Sequence, residues 1–203
     1  MRGDLVFDIG MCDGADTAYY LRLGFRVVAV EADPELCDAG RTRFADAIAR
    51  GQLSIVPKAI VGDASAGDTV TLWVNPDNRE WNTAAGAPAA SRNATRRVEV
   101  PAVRLASLFG EFGVPLYLKV DIEGMDRVCA EAIEPSERPR FVSLELCDDE
   151  IVDVLAGKLD GTDERLDKIS LKPRKTNIKV RTAVLAWTPL WVDGAGHRTD
   201  ATQ

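Results

Sequence analysis

The sequence predicts an α/β fold, in which a doubly wound and mostly parallel sheet carries helices on both faces. Two observations predict it. Short apolar segments rich in β-branched residues alternate with segments of helix-forming composition along most of the chain. The apolar segments also lack strict alternation of polar and apolar residues, which is typical of strands that helices cover on both sides. The length of 203 residues and the hydrophobic content of 46% fit one domain, expected over residues 1–193, with a polar tail over 194–203 that is expected to fray.

The first part of the chain alternates strand and helix. Strands are predicted over residues 5–9, 25–30 and 53–57, and helices over 15–23 and 33–50. Gly24 is the residue type that commonly ends a helix, whereas Asp33 and Pro34 are the types favoured at the cap and at the first position of the next one. This part is therefore predicted to be a βαβα unit followed by a third strand.

The second part of the chain has weaker patterns. The predicted elements are strands over 59–61 and 69–74, an edge strand over 98–103, a helix over 105–112, a fourth core strand over 116–124, a helix over 125–133 and a fifth core strand over 140–146. Helix-like segments follow over 149–156 and 163–169, and one or two late strands are predicted within 177–187. Residues 75–97 have no periodicity and predict a long surface loop, which would close over a substrate as a lid. Trp81 in this loop would either stack on the substrate or anchor the loop.

Charge and cysteine usage narrow the class of partner. The 32 acidic and 25 basic residues give a net charge of -7, which disfavours binding to nucleic acid or to an anionic membrane and favours a small-molecule or glycan partner. The four cysteines are scattered and the chain has one histidine, so neither a metal site nor a disulfide framework is predicted. The cysteines are expected to be buried thiols in a reducing compartment. Because the chain has no leader pattern and no long apolar run, a cytoplasmic protein is expected.

The stretch VFDIGMCDG, residues 6–14, predicts a binding turn at the end of the first strand. In open α/β sheets, ligands bind at the carboxyl ends of the strands, where the topology reverses. Gly10 and Gly14 allow the chain to turn tightly and to approach a ligand closely. Glu31 closes the second strand about twenty residues later, where a carboxylate can accept hydrogen bonds from both hydroxyls of a ribose. An adenosine-type ligand is therefore plausible, while the alternative is that the glycines only shape the turn.

The acids of this turn decide between adenosine cofactors. Asp8, Asp13 and Asp16 crowd the site where a dinucleotide would place its pyrophosphate, and no basic residue lies between Arg2 and Arg22. The glycine spacing also fails, because a G-x-G-x-x-G motif would need glycine at the position of Cys12. S-adenosylmethionine carries no phosphate, but it has an ammonium and a sulfonium that suit an acidic turn. The electrostatics favour S-adenosylmethionine.

Three segments in order make the chain resemble the FkbM-type family of S-adenosylmethionine-dependent methyltransferases, from about Asp4 to Leu146. They are VFDIGMCDGADTAYYLRLGFRVVAVEADP, LYLKVDIEGMD and FVSLELC. The resemblance implies a Rossmann-like methyltransferase fold and assigns one set of residues to the cofactor and a second set to the reaction pocket. In the cofactor set, the resemblance implies that Asp8, Gly10 and Gly14 line the methionine end and that Glu31 holds the ribose. Cys12 and Ala32 complete this set. The pocket set is Lys119, Asp121 and Glu123. Cys12 stands where the family usually has Asn.

The expected reaction is methylation of a hydroxyl group on a small molecule or sugar. We expect Asp121 to orient or deprotonate the acceptor, Glu123 to assist it, and Lys119 to tune their charge. Alternatively, Asp121 and Glu123 cap the helix that begins near Gly124. A cation held by these two acids and Glu145 is disfavoured, because alternating acids on a strand point to opposite faces.

Two other functions remain open from the sequence. One is a methyltransferase-like domain that binds the cofactor without catalysis. The other is a nicotinamide-dependent oxidoreductase, which the acidic turn disfavours.

Overall fold

The computed structural model describes residues 2–63, 67–85, 96–146, 150–157, 164–173, 181–189, 191–192 and 198–199. The helices are α1 (Ala15–Arg22), α2 (Pro34–Arg43), α3 (Ala45–Ala49), α4 (Leu105–Phe112), α5 (Asp126–Ala132) and α6 (Glu150–Gly157). The strands are β1 (Arg2–Ile9), β2 (Arg26–Val30), β3 (Leu53–Val56), β4 (Ala59–Ile60), β5 (Thr69–Val74), β6 (Arg96–Val103), β7 (Pro115–Val120), β8 (Phe141–Leu146), β9 (Glu164–Pro173), β10 (Arg181–Pro189), β11 (Trp191–Val192) and β12 (Arg198–Thr199).

The main sheet has seven strands in the order β3-β2-β1-β7-β8-β10-β9. The five strands from β3 to β8 run parallel, while β10 is antiparallel to both of its neighbours. The chain moves outward from β1 to β3 and later returns to place β7 on the other side of β1. The direction of winding therefore reverses between β1 and β7, where a crevice forms at the carboxyl ends of the strands. The predicted α/β class with a mostly parallel, doubly wound sheet is confirmed.

Strand β1 is buried on both faces, which explains its unbroken apolar sequence. Leu5, Phe7 and Ile9 belong to a core cluster shared with α4, α5 and α6, whereas Val6 belongs to a second cluster shared with α1 and α3. Successive side chains of a strand point to opposite faces, so the two clusters lie on the two sides of the sheet. The ring of Phe7 lies with its centroid 5.7 Å from that of Phe109 in α4. Helix packing on both faces thus holds β1, and with it the turn that follows, in place.

The part of the chain between β3 and α4 forms a second sheet, in the order β4-β6-β5. The prediction of an edge strand over 98–103 was wrong, because β6 is the central strand of this sheet, parallel to β4 and antiparallel to β5. The two-residue β4 is too short for its pairing to be visible in the sequence. Leu72, Val74 and Val100 pack with Ala59 in a small core, against which Ala32 also packs. The second sheet therefore sits beside the carboxyl end of β2.

In the first four core strands and their helices, β1 begins at Arg2 rather than at residue 5, one predicted helix is divided, and one predicted strand ends early. The helix predicted over 33–50 is two helices, α2 and α3, because Phe44 has a non-helical backbone (φ −109°, ψ 21°). Its predicted cap is confirmed, since the Asp33 side chain accepts a hydrogen bond of 2.9 Å from the N–H of Glu35. The strand predicted over 116–124 ends at Val120. Glu123 and Gly124 have φ values of 42° and 90°, which no strand residue adopts.

The predictions for the last part of the chain were partly wrong. Residues 163–169 were expected to be helical, yet 164–173 form β9, because pairing with β10 overrides the local helix propensity. Helix α6 and β10 confirm the helix predicted over 149–156 and a late strand within 177–187. Within the predicted polar tail, Arg198 and Thr199 pair with β11, and fraying of the tail stays a prediction. Of the loop predicted over 75–97, residues 79–81 form a 3-10 turn and 96–97 belong to β6, while 86–95 lie outside the described residues.

Candidate functional site

The turn that follows β1, residues 10–14, is held by main-chain contacts with both neighbouring strands. The N–H groups of Gly10 and Met11 donate to the carbonyl oxygen of Val30 at 2.9 and 3.1 Å. On the other side, the N–H of Asp121 donates to the carbonyl oxygen of Ile9 at 3.0 Å. A Cβ on Gly10, where φ is 85°, would lie 2.0 Å from the carbonyl oxygen of Asp121. Residue 10 must therefore be glycine for the turn to meet the end of β7.

The second glycine of the turn has a packing role. Gly14 has a φ of 79°, and a Cβ there would lie 2.6 Å from the ring of Phe44. Beside it, the Asp13 side chain accepts a hydrogen bond of 2.9 Å from the N–H of Ala15 at the start of α1. The guanidinium of Arg43 donates to the carbonyl oxygen of Asp13 at 2.5 Å. Arg43 at the end of α2 and the ring of Phe44, which directly follows it, thus support the turn.

Cys12 and Glu31 connect the turn to the end of β2. The Glu31 carboxylate accepts from the N–H of Cys12 at one oxygen and from the N–H of Asp33 at the other, both at 2.8 Å. Glu31 is only 8% exposed, and its burial raises the pKa of the carboxyl group. Cys12 has a φ of 51°, a left-handed conformation that favours glycine and asparagine. The backbone therefore explains why Asn suits this position. Burial raises the pKa of the Cys12 thiol to about 11, so the thiol is neutral near pH 7.

Beneath the turn, Lys119 of β7 forms a buried ion pair with Asp8 of β1. The Lys119 Nζ lies 3.0 Å from the Asp8 carboxylate, 3.7 Å from that of Asp16, and donates to the carbonyl oxygen of Gly10 at 2.8 Å. The Thr17 hydroxyl donates to Asp8 at 2.6 Å. Burial alone would lower the pKa of Lys119, but the neighbouring carboxylates outweigh it and raise that pKa above its usual value. Lys119 is therefore a fixed cation rather than a proton acceptor near pH 7.

Two clefts open beside the turn. The first, which we call the Glu31 cleft, spans about 570 Å³ including the solvent at its open mouth, and the second, the Lys119 cleft, spans about 540 Å³ on the same measure. Residues that line the Glu31 cleft alone include Glu31, Ala32, Lys58, Ile60, Thr83 and Glu123. Residues that line the Lys119 cleft alone are Met11, Asp13, Ala15, Asp16 and Lys119. Gly10, Cys12, Glu80 and Asp121 line both clefts.

The structure thus brings together most of the residues assigned to the site from the sequence. Seven of the nine line one or both clefts, namely Gly10, Cys12, Glu31, Ala32, Lys119, Asp121 and Glu123. Asp8 and Gly14 line neither, because Asp8 is completely buried under Lys119 and Gly14 packs on Phe44. A direct contact of each of the nine residues with a ligand stays a prediction.

The two acids after β7 lie beyond the strand, so strand alternation does not separate them. Asp121 and Glu123 both line the Glu31 cleft. Helix α5 begins after Met125, which makes no side-chain cap hydrogen bond. Asp126 bonds to the main chain there, since its carboxylate accepts from the N–H of Ile122 at 3.4 Å. Asp126 was not among the residues singled out from the sequence, although it opens the helix.

The segment over residues 75–85, the described part of the predicted lid, folds over the Glu31 cleft and is anchored on α2. The Arg79 guanidinium pairs with the buried Asp33 carboxylate and, at 2.6 Å, with Glu35. The Asn82 amide donates to Asp33 at 3.0 Å, and the Arg96 guanidinium lies 2.7 Å from Glu35. Hydrogen bonds from Arg79 and Arg96 lower the pKa of the Glu35 carboxyl group.

The same segment is also anchored at the end of β7. The Thr83 hydroxyl donates to the carbonyl oxygen of Glu123 at 2.7 Å. Trp81 is partly buried but is not among the residues that line the two clefts. Of the two roles expected for Trp81, the arrangement favours the anchor. Arg79, Asn82 and Thr83 were not predicted as site residues, because their partners lie about 40 or more residues away and such contacts leave no local signal in the sequence.

Comparisons with known proteins agree with this architecture. A family model described as the Methyltransferase FkbM domain matches residues 8–155. A Streptococcus pneumoniae protein, a proposed tRNA (m1A22) methyltransferase, superposes with a TM-score of 0.52 at 8% identity, covering 96% of this chain and 68% of its own. Precorrin-6y C5,15-methyltransferase from Geobacter metallireducens reaches 0.45 at 12% identity, covering 92% and 81% of the two chains. A proposed methyltransferase from Streptococcus mutans, in complex with S-adenosylhomocysteine (SAH), reaches 0.48 at 7% identity, covering 92% and 90%. No curated protein matches the sequence.

The doubly wound sheet, with its reversal between β1 and β7, is a Rossmann-like fold. With the family model matched over most of its length, the chain belongs to the FkbM methyltransferase domain family. The predicted family and fold are confirmed, and both imply binding of S-adenosylmethionine.

Among the described residues, no helix has the length and apolar character needed to cross a membrane. Among the same residues, no group of three or more His, Cys, Asp and Glu side chains is arranged to hold a metal ion.

Proposed function

We propose that this protein transfers a methyl group from S-adenosylmethionine to a hydroxyl group of a small molecule or sugar, with Asp121 as the residue that orients or deprotonates the hydroxyl. The observation that carries the proposal is the position of Asp121 between the two clefts. It directly follows β7, its backbone is fixed against the turn after β1, and it lines both clefts. A carboxylate at this point can reach ligands on either side.

The residues present fit the cofactor. Each oxygen of the Glu31 carboxylate accepts one main-chain N–H and keeps capacity for a second hydrogen bond, so that it can also accept ribose hydroxyls. Gly10 brings bare main chain to the place where the clefts join. Asp13, Asp16 and Glu80 surround the Lys119 cleft with negative charge, which suits a cationic group better than a phosphate.

The chain's own residues would act mainly through position and charge. When bound, the cofactor supplies a methyl group on a positively charged sulfur. Holding reactants in line can contribute about 7–11 kcal/mol, and the fixed turn provides a rigid wall for this. Asp121 would hold the acceptor hydroxyl and take its proton, and Glu123 would support it from the Glu31 cleft. Lys119, which stays charged, would steady the negative charge of this group of acids rather than exchange protons.

The acceptor and the compartment are also proposals. The net charge of -7 supports a small molecule or glycan rather than a nucleic acid or a membrane surface, although the proposed activity of the Streptococcus pneumoniae protein is on tRNA. The free thiols of Cys12, Cys37 and Cys129 favour a reducing compartment such as the cytoplasm. Family membership favours methyl transfer over a nicotinamide-dependent reaction.

Two measurements test the proposal. Calorimetry should detect binding of SAH, and labelled S-adenosylmethionine should transfer its methyl group to members of a panel of hydroxylated metabolites and glycans. Asp121→Asn should lower kcat by about 100-fold or more, because general-base catalysis commonly contributes about 10²–10⁴-fold, while the Kd of SAH changes little. Glu131→Gln, an exposed acid on α5, is the matched control and should leave both quantities unchanged.

The outcomes separate the alternatives. Absence of SAH binding would reject the cofactor, and full activity of Asp121→Asn would reject its role. Binding of SAH without transfer to acceptors in a cell extract would favour the non-catalytic domain considered from the sequence.

A further inference from the structure

The Lys119 cleft has an unequal distribution of charge. Its lining includes the acids Asp13, Asp16, Glu80 and Asp121, and among the described residues that line it Lys119 is the single cation. Lys119 sits at the floor, with 11% of its side chain exposed. A ligand that suits this cleft therefore has positive charge to meet the acids and one negative group to meet Lys119.

The hydrogen-bonding capacity of Lys119 is not exhausted by its protein partners. An ammonium has three N–H donors. One donates to the Gly10 carbonyl oxygen at 2.8 Å, and a second faces the Asp8 carboxylate at 3.0 Å. The third neighbour, the Asp16 carboxylate, is 3.7 Å away, which is beyond hydrogen-bonding distance. One N–H of Lys119 is thus available to a ligand in the cleft.

An α-amino acid end carries one carboxylate and one ammonium, whereas an adenosine end carries neither. The two clefts match this difference, since the Glu31 cleft offers a ribose-binding carboxylate and the Lys119 cleft offers one cation among acids. Resting on the proposed function, we propose that Lys119 binds the carboxylate of the cofactor's methionine part. In this role Lys119 is a cofactor-binding residue, in addition to steadying the charge of the neighbouring acids.

A second lysine provides an internal alternative. Lys58 lines the Glu31 cleft. If the cofactor bound in the opposite orientation, with its methionine part in the Glu31 cleft, Lys58 would be the lysine that contacts the methionine carboxylate. Arg79 also lines that cleft, but its guanidinium is held by Asp33 and Glu35. Comparing changes at Lys58 and Lys119 therefore tests both the contact and the direction of binding.

The experiment uses two ligands that differ only in the carboxylate. Calorimetry measures the Kd of SAH and of decarboxylated SAH for the full chain. A charged hydrogen bond predicts that the wild-type protein binds SAH about 10- to 100-fold more tightly. In the double variant Asp8→Asn/Lys119→Met, which removes both members of the buried pair and leaves no lone charge, the two Kd values should agree within about threefold. Lys58→Met should keep the wild-type ratio.

A measurement on the wild-type protein covers the case in which the double variant does not fold. The buried, ion-paired ammonium of Lys119 exchanges its protons slowly, so its ¹⁵N signal can be separated from those of exposed lysines. We expect that signal to shift on addition of SAH and to stay in place on addition of the decarboxylated compound.

The results distinguish a failure of the proposed function from a failure of the role given to Lys119. Failure of both ligands to bind the wild-type protein would reject the proposed function itself. Equal binding of the two ligands, or an unchanged ratio in the double variant, would overturn the role of Lys119 and leave the proposed function intact. If Lys58→Met bound SAH and decarboxylated SAH equally well, the methionine carboxylate would lie in the Glu31 cleft, and the inference would be overturned.

Discussion

The turn over residues 10–14 and the segment over residues 75–85 both line the Glu31 cleft, but they are held by different forces. The turn is fixed by hydrogen bonds from its main-chain N–H groups to the carbonyl oxygen of Val30 and to the Glu31 carboxylate. The segment is attached to α2 mainly by Arg79 and its carboxylate partners, of which Glu35 is 55% exposed. Hydrogen bonds to buried acceptors depend much less on salt than partly exposed ion pairs, which salt screens. One wall of the cleft is therefore rigid, and the other is adjustable.

The largest expected effect comes from breaking the rigid wall. Gly10→Ala places a Cβ at 2.0 Å from the Asp121 carbonyl oxygen in a left-handed backbone. We expect a loss of about 3–5 kcal/mol in the free energy of unfolding, from strain and overpacking together. Urea denaturation measures it. Gly110→Ala on α4, where a Cβ meets nothing within 4 Å, is the control and should gain about 0.5–1 kcal/mol. Similar stabilities of the two variants would contradict the close contact.

The next effect concerns the link between the turn and β2. Glu31→Gln keeps the size of the side chain, but its amide nitrogen cannot accept from the N–H of Cys12 or Asp33. One buried N–H loses its partner, which should cost about 1–3 kcal/mol of unfolding free energy. We also expect SAH to bind about tenfold more weakly, because a ribose acceptor is lost.

The control for this change is Glu111→Gln, an exposed acid of α4. Denaturation and calorimetry should show no change for it. If Glu31→Gln retained full stability and full affinity, the carboxylate would be no link between the two loops.

Changes in the segment over residues 75–85 should lower stability less than changes in the turn, and their effect should depend on salt. Arg79→Met removes the pairs with Asp33 and Glu35, so we expect a loss of about 1–2 kcal/mol at low salt, where ion pairs are least screened. SAH affinity should fall about three- to tenfold. Arg127→Met, which breaks an exposed pair with Glu131 on α5, should cost no more than about 0.5 kcal/mol and leave SAH binding unchanged. A salt-independent loss for Arg79→Met would point to packing instead.

The pH dependence of this wall has a definite sign. The pKa of Glu35 is lowered by Arg79 and Arg96, so its ion pairs contribute fully above the ordinary carboxyl pKa and weaken as pH falls through the lowered value. The stability difference between wild type and Arg79→Met should therefore shrink in acid. A constant difference down to pH 3 would contradict this.

The smallest expected effect is a gain in the free energy of unfolding. Cys12→Asn should relieve the left-handed strain at φ 51° and raise the free energy of unfolding by about 1 kcal/mol. Cys12→Ala removes the thiol but keeps the strain, so it should show no such gain. Equal stabilities for the two variants would mean that strain at residue 12 is absent.

Local patterns predicted the parts of the fold that are determined locally. The apolar runs of β1 and β2 indicate burial on two faces of the sheet. Asp33 followed by Pro34 indicates the start of a helix. These features could therefore be predicted from the sequence. The segment 164–173 could not, because its residues favour a helix unless β10 lies alongside. The central position of β6 was also hidden, since its partner β4 is two residues long.

The site was predictable in its residue types and less so in its connections. Glycine at 10 was expected to allow close approach of a ligand, but its nearest neighbour is the carbonyl oxygen of Asp121. Lys119 lies 109 residues from Gly10 and Arg79 lies 46 residues from Asp33. Contacts at such separations leave no periodic signal, and only the assembled sheet brings them together.

Gly10, Cys12, Glu80 and Asp121 line both clefts, so the two clefts lie side by side. On the proposed function one ligand would fill both clefts, and its two ends would be held by separate sets of groups. Once the first end is held, the second meets its cleft at a high effective concentration, so joining the ends multiplies affinity without any new contact. An intact two-ended molecule should therefore bind more tightly than either of its fragments alone.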